Sequence, residues 1–163
     1  MAPASTPTPL PRSQLAIVLL VQVCGALNTF SLFPFLPFLV EGLGYTGPQL
    51  GPHVGLLGAA YSGSQFCSSL LWGYIGDTYG RKPAIICGSF GSALGMIMFG
   101  TSTTFNQAIL GRVVGGFLSG NLGIIKAFLS ESTDHTNRSK GFSYLSMSMA
   151  FGTTTARIHV IQL

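Results

Sequence analysis

Three stretches of this chain, 14–40, 53–76 and 83–111, contain no Asp, Glu, Lys or Arg. Each exceeds the roughly 20 residues that an α-helix needs to cross a bilayer. Only 7% of the 163 residues are charged while 47% are hydrophobic, against about 25% charged in an ordinary soluble domain. The chain therefore reads as an all-α membrane protein whose immediate partner is the lipid bilayer. Its net charge of +4 fits basic loops on one membrane face, and no basic patch with interleaved aromatics points to nucleic acid. Cys24, Cys67 and Cys87 are odd in number and scattered through apolar segments. They suggest small packing residues, with no disulfide framework, metal site or cofactor.

Taken in order, residues 1–13 are rich in Pro, Ser and Thr and read as a disordered tail. A first helix is expected over about 14–40. A secretory signal peptide is the rival reading, but the apolar run continues past any cleavage point near Gly25 or Ala26. Pro34 and Pro37 should kink or end this helix, with Phe33, Phe35, Phe38 and Tyr45 in an interfacial belt. Asn28 is a polar residue in mid-helix. Residues 41–52 read as a loop, followed by a second helix over about 53–75. There Gly55, Ala59 and Gly63, with Gly58 and Ser62, follow the small-x-x-x-small pattern of close helix contact. Tyr61, Ser62, Gln65, Ser68 and Ser69 fall largely on one face, which is either a cavity wall or a set of interhelix hydrogen bonds.

A third helix over about 83–100 repeats small residues at Gly88, Gly91, Ser92 and Gly95, and a fourth spans about 107–130. The fourth carries Arg112 and Lys126, and charge at membrane depth is a functional hypothesis by default. Lys126 lies five residues before Glu131, so snorkelling toward a loop partner there explains it. Arg112 lies near the other end and admits the same account. After a charged loop with Asp134, Arg138 and Lys140, a partial fifth helix covers about 141–156. Arg157 and His159 interrupt it, and 153–163 read as a divergent, truncated end.

The second and third helices meet at Trp72-Gly-Tyr-Ile-Gly-Asp77-Thr-Tyr-Gly80-Arg81-Lys82-Pro83. Gly73 and Gly76 permit close helix approach, Gly80 a positive φ, and Pro83 suits the first turn of a helix. Asp77 and Arg81 stand four apart and can pair if the turn is helical. This Gly-x-x-x-Asp-x-x-Gly-Arg-Lys order resembles the signature loop of the major facilitator superfamily, with Thr78 where a basic residue often follows the Asp. Arg112-Val-Val-Gly115-Gly116 is similar to that family's fourth-helix Arg-x-x-Gln-Gly motif, with Gly115 in place of Gln. Together with Gly123-Ile-Ile-Lys126-Ala127 and Glu131, the loop looks like the zinc-induced facilitator-like branch of drug:proton antiporters. The resemblance covers roughly residues 14 to 152.

The resemblance implies four transmembrane helices plus an incomplete fifth, most of one six-helix half of a transporter. It implies secondary, proton-coupled transport of a small molecule or ion, no enzymatic activity, and a location in the plasma membrane or vacuole. In that scheme Gly73, Asp77, Gly80, Arg81 and Lys82 form a cytoplasmic gate, and Arg112, Asn28 and Gln65 serve the cavity or proton pathway. Lys126 and Glu131 act as loop charge partners. The missing second half or a full-length relative is the expected protein partner, and a non-transporting tetraspan or regulatory fragment is the alternative. No Asp or Glu lies deep inside a span, and His53, His135 and His159 lack metal spacing. Arg12, Arg81 with Lys82, and Arg138 with Lys140 fall on one face, which the positive-inside rule makes cytoplasmic together with the amino terminus. The sequon Asn137-Arg138-Ser139 then stays unglycosylated.

Overall fold

The computed structural model describes residues 12–133 and 137–161. The expected tail, bar its last two residues, and the loop charge Asp134 lie outside the described residues. The described chain is helical: α1 (Arg12–Gly42), a 3-10 turn at Gly47–Gln49, α2 (Leu50–Tyr79), α3 (Arg81–Gly100), α4 (Phe105–Leu118), α5 (Asn121–Glu131) and α6 (Arg138–Ile161). Three segments are long and apolar enough to cross a membrane: Leu15–Gly42, Arg81–Gly100 and Phe105–Glu131. α2 reaches 30 residues and α6 reaches 24, but glycines, serines and threonines dilute their apolar content.

Several boundaries differ from those the sequence suggested. α1 runs through Pro34 and Pro37 to Gly42, since a membrane helix tolerates the missing donors where neighbours and local adjustment re-satisfy the freed groups. The hydrophilic turn between the second and third helices shrinks to Gly80 alone, whose φ of +95° reverses the chain between α2 and α3. The helix expected over 107–130 is two helices, interrupted at Ser119-Gly120. The fifth helix expected over 141–156 extends over Arg138–Ile161, without interruption at Arg157 or His159.

Glycine decides how closely these helices pack. A Cβ on Gly95 would collide with the Gly115 backbone, and one on Gly111 would lie 2.7 Å from the Phe99 nitrogen. Gly116 meets the Tyr61 carbonyl in the same way, so α4 lies backbone to backbone against α3 and α2. Gly152 on α6 has equally little room, 2.7 Å from the Ala26 Cβ of α1. Such contact gains dispersion and loses little side-chain entropy, which is how helices associate in lipid. The expected small-residue face of α2 behaves differently. Gly55 and Gly63 have open space around them, and Gly58 touches only the Phe33 ring at 4.0 Å. That face points away from the seams of the bundle.

Apolar clusters hold the two ends. Leu32, Leu36, Val40, Leu57, Phe99 and Ala108 pack at one end, and Val18, Ile125, Leu129 and Leu145 at the other. At the first end Tyr45 stacks on His53 with centroids 4.1 Å apart, and Phe105 lies edge-on to His53 at 4.7 Å. Tyr45 thus packs over that end of the bundle. Phe33, Phe35 and Phe38 are exposed.

Candidate functional site

The described ion pairs lie at the end where α2 hands over to α3. Arg81 Nη2 stands 2.5 Å from Asp77 Oδ1 and 2.6 Å from Glu131 Oε1, and its Nε donates to Glu131 Oε2 at 3.4 Å. One guanidinium therefore ties the end of α2, the start of α3 and the end of α5. The local sequence makes this possible. Asp77 and Arg81 remain on neighbouring turns across the Gly80 reversal, while Gly76 is buried beneath Arg81, where a Cβ would come 2.9 Å from Nη1. Of the two glycines expected to permit close approach, Gly76 does so, while Gly73 has open space around it and lines an adjacent groove.

The pairing of Lys126 with Glu131 does not form. Five residues along a helix rotate the side chain by about 140° at 100° per residue, so the two acceptors of Glu131 face Arg81 instead. Lys126 and Lys82 are exposed and make no ion pair among the described residues. Beyond α5, Arg138 Nη2 donates to Ser130 Oγ at 2.9 Å, bringing the start of α6 to the same end of the bundle.

A groove of about 470 Å³ opens beside the Arg81 cluster, lined by Gln65, Phe66, Gly73, Asp77, Arg81 and Gly123 among others. Its far end is the break between α4 and α5. A break frees backbone carbonyls, and α2 supplies donors for two of them. Trp72 Nε1 donates to the Phe117 carbonyl at 2.8 Å and Gln65 Nε2 to the Ser119 carbonyl at 3.1 Å. Tyr61 OH adds a bond to Ser119 Oγ at 3.3 Å. Gln65, Trp72 and Gly76 fall at i, i+7 and i+11 and so share one face of α2. Gly120 must be glycine here, because any Cβ would occupy the space of the Trp72 indole.

A second, smaller cavity of about 130 Å³ lies between α1, α2 and the break, lined by Gln22, Asn28, Thr29, Tyr61, Gln65 and Asn121 among others. Asn28 and Gln65 are thereby brought together. Gln22, unremarked in the sequence, is 5% exposed, and its side chain has no hydrogen-bond partner among the described residues. The available signal was the spacing of Gln22, Ala26 and Thr29 at i, i+4 and i+7 in an otherwise apolar helix. Asn121 donates to Ser89 Oγ at 2.9 Å, while its Oδ1 is buried with no donor.

Arg112 departs from both accounts of it. It neither snorkels nor lines either of these cavities, but is 5% exposed in the seam between α2, α3 and α4. Its Nε donates to the Leu57 carbonyl at 3.3 Å, and its guanidinium sits 4.4 Å over the Tyr61 ring and 5.4 Å from that of Phe99. Two aromatic faces offset the missing counter-ion through cation–π attraction. Tyr61, which lines the smaller cavity, separates Arg112 from it by one ring.

The described residues thus form a helical bundle with candidate membrane spans, a polar cavity partway along it and an ion-paired helix reversal at one end. The chain belongs to the Major Facilitator Superfamily, whose model matches residues 18–158. It is 31% identical over 123 residues to the major facilitator superfamily multidrug transporter mfsB of Aspergillus fumigatus, covering 74% of this chain and 20% of that one. It is 33% identical over 123 residues to Protein ZINC INDUCED FACILITATOR 1 of Arabidopsis thaliana, covering 74% and 25%. The human organic anion transporter MFSD10 (TETRAN) shares its fold, with a TM-score of 0.82 at 24% identity over 96% of this chain and 42% of that one. The chain thus spans a fifth to a quarter of the length of the two curated relatives.

Proposed function

We propose that this chain forms part of a secondary transporter that moves a small solute across a membrane, with Arg81 as the latch of a gate. The observation that carries the reading is the single guanidinium joining three helix ends beside an open groove. A solute can pass that end only if the ends separate, and separation must break contacts of Arg81 with Asp77 and Glu131. Charge placed there biases the equilibrium between open and closed states without anchoring the helices in lipid. The names of the multidrug and zinc-induced relatives support solute movement. The open side of the groove, where Phe66 is exposed, is assigned to further helices of the transporter. A carboxylate proton carrier deep in a span would have to come from outside the described residues, whose acids Glu41, Asp77 and Glu131 stand at helix ends.

Uptake into proteoliposomes of the longest polypeptide carrying this sequence tests the proposal, with radiolabelled tetracycline, chloramphenicol and zinc as probes. At least one probe should accumulate, and Asp77→Asn and Arg81→Ala should each lower its rate roughly tenfold with insertion unchanged. Unaltered rates in both variants would remove the gate. Accumulation of no probe above protein-free liposomes counts against transport itself.

The same end is assigned to the cytoplasm, in the plasma membrane or the vacuole, because Arg81, Lys82, Arg138 and Lys140 gather there. Asn137 should then carry no glycan in a eukaryotic host. A glycosidase-sensitive mass shift lost in Asn137→Gln would place this end in the lumen.

A further inference from the structure

The smaller cavity has an unusual lining for a carrier of ions. Among the described residues that form it, none is charged. What it offers is amides and hydroxyls: Gln22, Asn28, Thr29 and Tyr61, with Gln65 at the break. Gln22 carries the argument, since the residue is 95% buried, lines this cavity and makes no hydrogen bond to the protein among the described residues, leaving its amide accessible from the cavity. Gln65 spends its Nε2 on the Ser119 carbonyl and has no donor to its Oε1 among the described residues. Among the described residues the buried cation nearby, Arg112, is turned into the neighbouring seam behind Tyr61.

We infer that this cavity is a recognition site for an uncharged carboxamide-like group of the solute, with Gln22 as the residue that sets that preference. The inference rests on the solute-carrier reading above. An amide presents a donor and an acceptor side by side and pairs with another amide in kind. A charged group entering the same space would lose its hydration and find only neutral dipoles in return. Cations and anions are therefore disfavoured alike at this position. The volume of about 130 Å³ suits a functional group, well below the roughly 300–1,000 Å³ of sites that enclose a drug-sized ligand. Phe30 and Tyr61 border the cavity and supply apolar walls for the body that carries the group.

Three near-isosteric probes isolate charge: 4-fluorobenzamide, 4-fluorobenzoate and 4-fluorobenzamidine. Their binding to the chain in lipid nanodiscs is read by fluorine relaxation, with Gln22→Leu as the variant that separates site binding from partition into lipid. The amide should bind roughly tenfold more tightly than either charged probe, and Gln22→Leu should abolish that difference. Gln22→Glu, which keeps size and polarity, should turn the preference toward 4-fluorobenzamidine. If Gln22→Leu is recovered aggregated, Asn28→Leu takes its place with the same expectation. Tighter binding of the benzoate or the benzamidine by the unaltered chain, sensitive to Gln22, overturns the neutral class and leaves the solute-carrier reading standing. No Gln22-dependent or Asn28-dependent binding of any probe, in variants with unchanged helix content, overturns the site and counts against the carrier reading as well.

Discussion

The two halves of the interrupted helix meet their neighbours in opposite ways. α4 lies flush on α3 and α2, with Gly111, Gly115 and Gly116 leaving no room for a single added carbon at most of these contacts. α5 stands across a groove of about 470 Å³ from α2. It is anchored by Ile124, Ile125 and Leu129, each 1% exposed within apolar clusters, and further tied by side-chain bonds around the break at its start and by Arg81 at its end. Backbone contact through glycine has one solution and resists displacement, because interiors respond to added volume by strain. A few polar bonds across an open groove can be exchanged for water or for a ligand. One half of the helix packs backbone to backbone on both neighbours, and the other packs through side chains and leaves a groove on its α2 side.

The largest expected effect comes from filling the glycine seam. Gly95→Leu should destabilise the bundle by about 3 kcal/mol, seen as loss of monodisperse protein and a lower unfolding temperature in detergent. Gly123→Ala, on the open side of α5 with nothing within 4 Å, should stay within about 0.5 kcal/mol. Equal behaviour of the two variants would erase the distinction between the halves. A smaller effect follows from cutting one bond at the break: Gln65→Leu should lower stability by about 1 kcal/mol and speed amide exchange over 117–123 more than over 105–116. Exchange that rises evenly over both stretches would mean that α4 and α5 move together. The smallest concerns the distal tie. Arg81→Ala should raise exchange near the end of α5 roughly threefold and leave α4 untouched, whereas no change at 126–131 would show that the ion pairs do not restrain it.

Much of this arrangement was legible in the chain. Charge-free runs marked helices, and the Gly88, Gly91 and Gly95 repeat of α3 marked a true seam, meeting Asn121, Leu118 and Gly115 respectively. The equally regular Gly55, Ala59 and Gly63 of α2 marked an open face, because small-residue spacing states that approach is possible and is silent on whether a partner arrives. Ser119-Gly120 is a turn dipeptide, yet within an apolar run its effect depends on Trp72 and Gln65 being present to donate to the freed carbonyls. Local sequence alone cannot supply that. The same limit applies to Glu131: proximity in sequence suggested Lys126, and the fold delivered Arg81 from fifty positions away. Gln22 escaped notice because an amide in a long apolar helix is conspicuous only once its neighbours fail to bond it.

Trp72 is the sole tryptophan of the chain. Its ring is 7% exposed, lies against Gly120 and bonds the Phe117 carbonyl. The molecule therefore carries an intrinsic fluorophore at the junction between α4 and α5. Emission should be blue-shifted while the joint is closed and move to longer wavelength as the indole loses that carbonyl and meets water. Opening kinetics could be followed by stopped flow on the unlabelled protein, without an introduced dye that would itself disturb so tightly packed a place.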